Sequence, residues 1–176
     1  MSPKKKLIIV NNNLETGGIQ RALVNLLTEI KGKYDITLFL FYKNGPYLDL
    51  IPKEIKVIEA SGLLRILGTS KEEAKKLGFF YYLLRGFCIL LSKVFFNHLP
   101  INILVSLHKK IGNYDIAISY LQNAREHIFY GGCNEFVLKR IESKKKITFC
   151  HCDFIRSEVN TKRNREIYRQ FDTIVG

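Results

Sequence analysis

Residues 7–30 read LIIVNNNLETGGIQRALVNLLTEI, and in this stretch an apolar strand, a polar loop and an amphipathic helix follow one another. The run at 7–10 is short and wholly apolar, which is typical of a strand that is buried on both faces. Residues 11–18 are rich in asparagine and glycine and predict a loop. Apolar side chains then recur at helical spacing over 19–30. A buried strand that feeds a helix in this way is the opening unit of a parallel α/β sheet.

The same alternation of strands and helices continues along the rest of the chain. We predict further strands at residues 34–42, 56–60, 114–120, 146–150 and 173–175, one or two helices at 70–97, and helices at 123–130 and 158–171. Ser70 and Glu73 have the spacing of a capping box, and Gly131 and Gly132 are expected to end the helix that precedes them. The pattern predicts one α/β domain over residues 1–176, a Rossmann-like parallel sheet with helices on both faces.

The chain is strongly basic, with 28 Lys and Arg residues against 16 Asp and Glu residues and a formal net charge of +12. Such an excess indicates an anionic partner: nucleic acid, a phosphorylated small molecule or an anionic membrane surface. The sequence contains no helix-turn-helix, RNP-like or zinc-finger pattern, so no nucleic-acid partner is expected. The apolar run at 7–10 is too short for a signal peptide, and the four cysteines are therefore expected to be reduced thiols in a cytoplasmic protein.

Polar or glycine-rich segments follow three of the predicted strands, at residues 11–18, 121–123 and 151–153. The carboxyl ends of parallel strands meet at one edge of a sheet, where α/β proteins bind their ligands near a switch in strand order. We therefore expect the three segments to contribute to a single site.

Paired glycines, Gly17 and Gly18, stand where the predicted loop becomes a helix. Glycine lets the backbone approach a bulky group closely, and the free amides and dipole of a helix start favour an anion such as a phosphate. An ordinary turn that needs glycine for its geometry is the alternative. The segment is neither G-x-G-x-x-G nor a Walker loop, which disfavours a dinucleotide site and a P-loop.

Three segments together resemble the N-terminal domain of family 4 glycosyltransferases. Residues 17–27, GGIQRALVNLL, are similar to the family's Gly-Gly-x-x-Arg-x-x-x-Asn-Leu opening. Residues 146–153, KITFCHCD, resemble its strand that ends in an aromatic, a variable residue and His, and 171–175, FDTIV, resemble its Phe-Asp-x-Ile-Val strand. The resemblance implies a retaining enzyme with two facing Rossmann-like domains, of which this chain would be the N-terminal, acceptor-side one. Because the chain stops at Gly176, we expect it to be truncated, with the donor-binding domain and its paired glutamates beyond it.

The resemblance also implies a function. In the complete protein a sugar would pass from a nucleotide diphosphate sugar to a glycan or lipid-linked acceptor in cell-surface polysaccharide synthesis. The nucleotide sugar is a substrate, no cofactor is expected, and this chain alone is expected to be inactive. A non-catalytic module that docks a glycan or a membrane is the alternative.

Site residues follow from the same resemblance. The loop at Gly17 and Gly18 would lie near the donor diphosphate and the acceptor. His151 is the candidate catalytic residue and would reach the donor's phosphate or sugar. Its imidazole could donate a hydrogen bond to developing negative charge, whereas a structural histidine bonded to the backbone is the alternative.

Other polar residues around the loop have two interpretations each. Arg21 could bind an anionic acceptor or form a surface ion pair. Asn12 and Asn13 could bind sugar hydroxyls or simply fill a turn, as asparagines often do. The resemblance implies front-face displacement, in which the leaving phosphate accepts the acceptor's proton, so neither Glu15 nor Asp153 is assigned as a base.

The Cys150-His151-Cys152 sequence raises the question of a metal. In a strand Cys150 and Cys152 share one face while His151 points to the other, and Cys88 and Cys133 are isolated. A closed zinc site needs four convergent ligands, so no metal is expected, and a Cys-His nucleophile pair is disfavoured by the same geometry.

The most apolar segment covers residues 79–96 and reads FFYYLLRGFCILLSKVFF. Arg85 and Lys93 make a membrane-spanning helix costly. Arg85 and Ser92 form a narrow polar stripe beside a broad apolar face, as in a helix that lies in a membrane surface. A core helix with one wet edge has the same pattern and is the interpretation we favour. Residues 139–169 contain ten Lys or Arg residues and four acidic ones, a composition that suits binding to anionic lipid. Peripheral contact with the inner face of the plasma membrane is therefore also expected.

Overall fold

Six strands and six helices lie along residues 3–176, the part of the chain that the computed structural model describes, and three of the helices follow one another between β3 and β4. The strands are β1 (Lys6–Asn11), β2 (Asp35–Leu40), β3 (Lys56–Glu59), β4 (Ile111–Ser119), β5 (Ile141–Phe149) and β6 (Thr173–Val175). The helices are α1 (Gly18–Ile30), α2 (Lys71–Leu77), α3 (Phe79–Phe95), α4 (His98–Leu107), α5 (Cys133–Arg140) and α6 (Lys162–Tyr168). Short 3-10 helices cover Pro46–Leu50 and Gly62–Gly68. None of the helices in residues 3–176 combines the length and the apolar character needed to cross a bilayer.

All six strands run parallel, in the order β3-β2-β1-β4-β5-β6. The chain moves outward from β1 through β2 to β3, then returns past β1 to build the other half of the sheet. Strand order therefore reverses between β1 and β4, and this switch point opens a crevice at the carboxyl ends of these strands. The predicted Rossmann-like parallel α/β fold is confirmed.

The middle of the sheet is buried on both faces, and residues 7–10 of its central strand β1 are apolar at every position. In β1, Leu7 and Ile9 face α1, whereas Ile8 and Val10 face the opposite layer, and all four side chains are buried. One core lies beneath α1, and the other lies beneath α3, α4 and α5. The unbroken apolar run in β1 is what a central parallel strand requires.

Predicted elements with strong periodicity lie where the sequence placed them. β1, α1 and β3 begin or end within about one residue of the predicted bounds, and β6 coincides with its prediction. The capping box of α2 is also present: the Ser70 side chain accepts a hydrogen bond from the Glu73 amide at 3.2 Å, and the Ser70 amide donates to the Glu73 carboxylate. These elements can be predicted from the sequence because their signals depend only on residues that are neighbours in the chain.

The predicted helix at 123–130 is wrong, because this segment is an irregular loop. Its shape is fixed from outside: the Asn97 side-chain amide donates to the carbonyls of Arg125 and Ile128 at 3.0 and 2.9 Å. Gly131 and Gly132 have positive φ angles of 99° and 92°, but they precede α5 rather than ending a helix. Only glycine adopts such angles without strain, so the pair turns the chain into α5.

Two further helical predictions need correction. The helix predicted at 158–171 is shorter, since α6 starts only after Thr161, whose side chain accepts from the Asn164 amide at 3.2 Å. Glu158, where the predicted helix would begin, has a positive φ of 56°, which lies outside the right-handed helical region. The sequence also gave no sign of α4, which begins at His98 and accepts Pro100 in its first turn, where a missing amide hydrogen costs nothing.

Candidate functional site

The bend between β1 and α1 presents an uncapped helix start at the switch point. Gly17 is the N-cap residue of α1 and makes no side-chain capping bond within the described chain, and the first turn of α1 carries no acidic residue. The helix begins with the hydrogen bond from the Arg21 amide to the Gly17 carbonyl, at 3.0 Å. The amides that precede it and the positive end of the dipole are therefore suited to an anion.

Backbone geometry does not explain the paired glycines. Gly17 is extended, with φ 176°, a conformation that any residue adopts. A Cβ placed on Gly18 would have no heavy atom within 4 Å, and one on Gly17 would approach only the far end of the flexible Gln20 side chain. The alternative that glycine is needed to form the turn is therefore not supported, and the space above Gly18 is open.

The asparagines of the loop bind the protein itself. Asn12 is buried; its side-chain amide donates to the Leu67 carbonyl at 3.1 Å, and its side-chain oxygen accepts from the Cys133 thiol at 3.1 Å. Asn13 donates to the Gly68 carbonyl at 2.7 Å. The structure thus favours the turn-filling interpretation for both residues: they fasten the loop to the turn at Leu67 and Gly68.

A second loop supports the bend from the other side. The Leu14 amide donates to the Asn44 carbonyl at 2.8 Å, and the Asn44 side chain donates to the Glu15 carboxylate at 2.7 Å. Gly45 has φ 115°, and a Cβ on it would lie 2.1 Å from the Leu14 carbonyl. Here glycine is required, because the two backbones approach too closely for any side chain. The loop between β1 and α1 is thus held in place by the loop at Asn44 and Gly45, while Gly18 stays exposed.

His151 lies at the same edge of the sheet and on the same face as α1. It follows β5, and its ring packs against Tyr120 and Phe149, with ring centroids 4.7 and 5.6 Å apart. Tyr120 and Phe149 belong to the core beneath α1. The Tyr120 amide in turn donates to the Val10 carbonyl of β1 at 3.0 Å. The imidazole and the bend thus flank the switch point, separated by the single strand β4.

The backbone fixes which nitrogen of His151 carries hydrogen. Nε2 lies 2.9 Å from the Tyr120 carbonyl oxygen, which can only accept, so Nε2 donates and Nδ1 is the acceptor of the neutral ring. Burial lowers the pKa of His151 from its ordinary 6.5, and the bond to the carbonyl opposes this only in part. At neutral pH the free nitrogen therefore accepts a hydrogen bond rather than donating one.

Cys150 and Cys152 follow the end of β5, so the strand alternation predicted for them does not apply, but they line a cavity that His151 does not line. Their sulfur atoms are 3.9 Å apart, and both line a cavity of about 360 Å³ together with Phe154 and Tyr168. Burial raises the pKa of Cys152, so its thiol stays protonated at neutral pH. Within residues 3–176 no cluster of three or more His, Cys, Asp or Glu side chains has the arrangement of a metal site.

Arg21 and the segment after β4 differ in their availability to a ligand. Arg21 is exposed on the first turn of α1 and makes no ion pair with any residue of 3–176. Asn123, in contrast, is buried and exchanges hydrogen bonds of 3.0 Å with the side chains of Asn134 and Asn164. Asn123 therefore ties the segment after β4 to α5 and α6 and is not free to bind a ligand.

The sequence analysis did not predict that the His151 ring packs against two aromatic side chains, Tyr120 and Phe149. Tyr120 directly follows β4, and Phe149 is the last residue of β5, so the register of the sheet brings both beneath the imidazole. The sequence shows an aromatic residue at the end of each of these two strands, but whether the two residues are neighbours depends on strand order.

No protein-family model matches the chain, and no curated protein matches it.

Proposed function

We propose that this chain is the N-terminal, acceptor-side domain of a glycosyltransferase that transfers a sugar from a nucleotide diphosphate sugar to a glycan or lipid-linked acceptor. One observation carries the proposal: an uncapped helix start and an imidazole flank the switch point on one face of a Rossmann-like sheet. Diphosphates bind at such helix starts, and an imidazole beside them can contact the sugar.

Each residue of this site has a defined task. The amides at Gly17 and Gly18 would face a phosphate oxygen, and the exposed Arg21 would add a cation on the same helix turn. The neutral His151 would accept a hydrogen bond from a sugar hydroxyl through Nδ1. A phosphate close to the ring would raise its pKa and convert Nδ1 into a donor, so donor binding itself would switch the role of His151.

Nuclear magnetic resonance of the purified chain tests the phosphate site. Inorganic pyrophosphate and UDP-glucose serve as probes, and we expect both to shift the amide signals of Gly17 and Gly18 and to raise the pKa of His151. Unchanged amide signals and an unchanged His151 pKa at saturating pyrophosphate would contradict the proposal.

A pair of charge variants separates this site from the general basic surface. Gly18→Asp adds a negative charge where the ligand would lie, and the open space there accepts the new side chain. We expect it to weaken pyrophosphate binding about tenfold, since like charges a few ångströms apart cost more than about 1 kcal/mol. Asn25→Asp makes the same change in charge on an exposed part of α1 and should leave binding within about twofold. Equal losses in both variants would mean that only the net charge of +12 attracts the anion.

Activity tests the second-domain part of the proposal. We expect no release of nucleotide diphosphate when the purified chain is mixed with a donor and a lipid-linked acceptor, because most of the nucleotide contacts would come from the donor-binding domain. Robust turnover by this chain alone would show that no second domain is needed.

A non-catalytic docking module is the second candidate function. The internal bonding of Asn12 and Asn13 weakens the case for catalysis at the bend, because neither side chain is free to orient a sugar for transfer, whereas a docking module needs only to hold its glycan. Such a module would bind a glycan without binding pyrophosphate. Amide shifts in the bend caused by an oligosaccharide but not by pyrophosphate would therefore select this function.

A further inference from the structure

The segment α3 to α4 is built with its apolar side outward. Along α3 the exposed apolar side chains recur at helical spacing, and α4 continues the pattern. We define the apolar surface as the exposed residues Phe79, Phe80, Leu83, Phe87, Leu90 and Val94 of α3, with Leu99, Ile103 and Leu107 of α4. Contiguous exposed apolar surface of this extent in a soluble domain marks an interaction site.

Arg85 and Ser92 of α3 are turned into the protein, on the side where Tyr81, Leu84 and Cys88 pack against the core, whereas Lys93 is exposed. Ser92 is fully buried and donates to the Cys88 carbonyl at 2.8 Å. Arg85 is half-buried, and its Nε donates to the Thr69 carbonyl at 3.0 Å. One side of α3 packs on the core, as the core-helix interpretation predicts, but the expectation that its exposed edge is polar is wrong, because the exposed edge is apolar.

Both helices direct their apolar stripes away from the same core. Cys88 of α3 and Ile101 of α4 are buried in the core on that side of the sheet, and the exposed stripes lie on the opposite sides of the two helices. The two helices contact each other. Their stripes consequently form one outward face rather than two separate patches.

Charge around the apolar surface selects its partner. Residues 79–107 contain no acidic residue, and lysines flank both ends, with Lys75 and Lys76 before α3 and Lys109 and Lys110 after α4. Two copies of a chain with net charge +12 would bring these like charges together, which opposes self-association. Anionic lipid headgroups attract them instead, each lysine near the surface contributing about 1 kcal/mol.

We infer that the apolar surface inserts into the interfacial layer of an anionic bilayer, with α3 lying along the membrane. The phenylalanines and leucines enter the acyl boundary while the flanking lysines meet the headgroups. The opposite side of α3 stays packed on the protein. Membrane docking depends on these two helices alone and stands whether or not the chain is part of a glycosyltransferase.

The membrane-facing helix α3 is also connected to the loop of the candidate site, although α1 and His151 lie on the opposite face of the sheet. The turn at residues 67–69 accepts hydrogen bonds from Arg85 of α3 and from Asn12 and Asn13 of the loop after β1. The carboxyl edge of β1 and the membrane-facing helix therefore share one rigid connection.

Tryptophan substitution tests the insertion, because the chain contains no tryptophan. Phe87→Trp places a single reporter on the apolar surface, and Leu50→Trp places a matched one on an exposed apolar position elsewhere, at 46% exposure against 56% for Phe87. With vesicles of equimolar phosphatidylcholine and phosphatidylglycerol, we expect a blue shift of the emission for Phe87→Trp only. No shift at Phe87→Trp, or equal shifts at both positions, would overturn the inference.

Flotation with the same vesicles measures the binding itself. Leu90→Ser should weaken binding about tenfold, because burying one leucine contributes about 1.5 kcal/mol or more, whereas Leu50→Ser should have no effect. Vesicles of phosphatidylcholine alone should bind at least about tenfold more weakly, since the lysines lose their partners. Equal binding of Leu90→Ser and Leu50→Ser would overturn the inference. So would a dimer of the lipid-free chain in sedimentation that Leu90→Ser converts to monomer, since the surface would then be a self-interface.

Discussion

The loop after β1 and the apolar surface on α3 and α4 both differ from what their sequences suggest. The polar loop is bonded to the protein, whereas the apolar surface is exposed. The loop reads NNNLETGG, as polar as a ligand site should be, yet Asn12 and Asn13 are bonded to the protein. The helix α3 reads like core, yet its large apolar side chains face outward, with Phe79 at 74% exposure. Polarity alone therefore did not tell which residues are free to meet a partner. Hydrogen-bond satisfaction and burial in the fold did.

The difference has a physical origin in what each region must satisfy. A loop at the carboxyl edge must pair its polar groups, and the nearby carbonyls of Leu67 and Gly68 are the partners at hand. An apolar helix face has no such local requirement, because its solvation depends on what covers it. The loop can thus be understood from the chain alone, whereas the exposure of the apolar surface can be understood only together with what covers it.

The largest expected effect concerns the support of the loop. Gly45→Ala places a Cβ 2.1 Å from the Leu14 carbonyl at a positive φ of 115°, so the two backbones must separate. We expect a loss of about 4 kcal/mol in the free energy of unfolding, from strain and overpacking together. Urea denaturation of Gly45→Ala and Gly18→Ala provides the comparison. Gly18→Ala has open space and should change stability by less than about 1 kcal/mol.

Similar losses for both glycine variants would contradict the rigid-loop description. It would mean that the bend at Gly18, rather than the Leu14 to Gly45 contact, determines the fold of this edge.

The next effect contrasts two isoleucines on α4. Ile101 is 2% exposed and Ile103 is 49% exposed, although they lie two residues apart. Ile101→Ala should lower the free energy of unfolding by about 3 kcal/mol through the cavity that it leaves. Ile103→Ala should change it by less than about 0.5 kcal/mol. A large loss for Ile103→Ala in urea denaturation would mean that α4 packs against something with its outer stripe, and the outward face would be disproved.

Asn12→Ala measures the internal role of the loop asparagines. The substitution leaves the Leu67 carbonyl and the Cys133 thiol without their partner in a buried setting, and we expect a loss of about 2 kcal/mol. Asn25→Ala, on the exposed side of α1, is the control and should change stability by less than about 0.5 kcal/mol. If Asn12→Ala were as stable as the wild-type chain and lost pyrophosphate binding, Asn12 would belong to the ligand site after all.

Much of the fold was predictable because its signals are local. The apolar run of β1, the helical spacing of α1 and the capping box of α2 involve only neighbours in sequence, and all three are present. The loop at 123–130 was not predictable, because the carbonyls of this segment bind Asn97, far away in the sequence. Long-range hydrogen bonds of this kind override local propensity.

The candidate site was predictable only in part. Parallel strands place their carboxyl ends at one edge, so the placement of Gly18 and His151 at the same edge of the sheet followed once the strands were recognised. The packing of His151 on Tyr120 depends on β4 lying beside β5, which strand order alone determines. The outward direction of α3 was equally inaccessible, since a stripe pattern is the same whether the apolar side faces a core or a membrane.

The smallest expected effect is the pH response of His151. Burial holds the pKa of this imidazole below its ordinary 6.5, so the folded chain favours the neutral ring and the unfolded chain takes up the proton first. The stabilisation is therefore complete above pH 6.5 and is lost as the pH falls through 6.5 towards the folded pKa. Burial also lowers the pKa of His98, but His98 is present in both the wild-type chain and a His151 variant, so its contribution cancels when their free energies of unfolding are subtracted.

Comparison with His151→Gln isolates this response, because glutamine can still donate to the Tyr120 carbonyl. Between pH 7.5 and 5 the free energy of unfolding of the wild-type chain should fall further than that of His151→Gln. The excess should be less than about 1 kcal/mol, since water still screens a half-buried ring. Direct titration of the ring should give a pKa below 6.5 without ligand. A value above 6.5 in the ligand-free chain would mean that a negative group already occupies the place where the phosphate should bind, and the site would have to lie elsewhere on this edge.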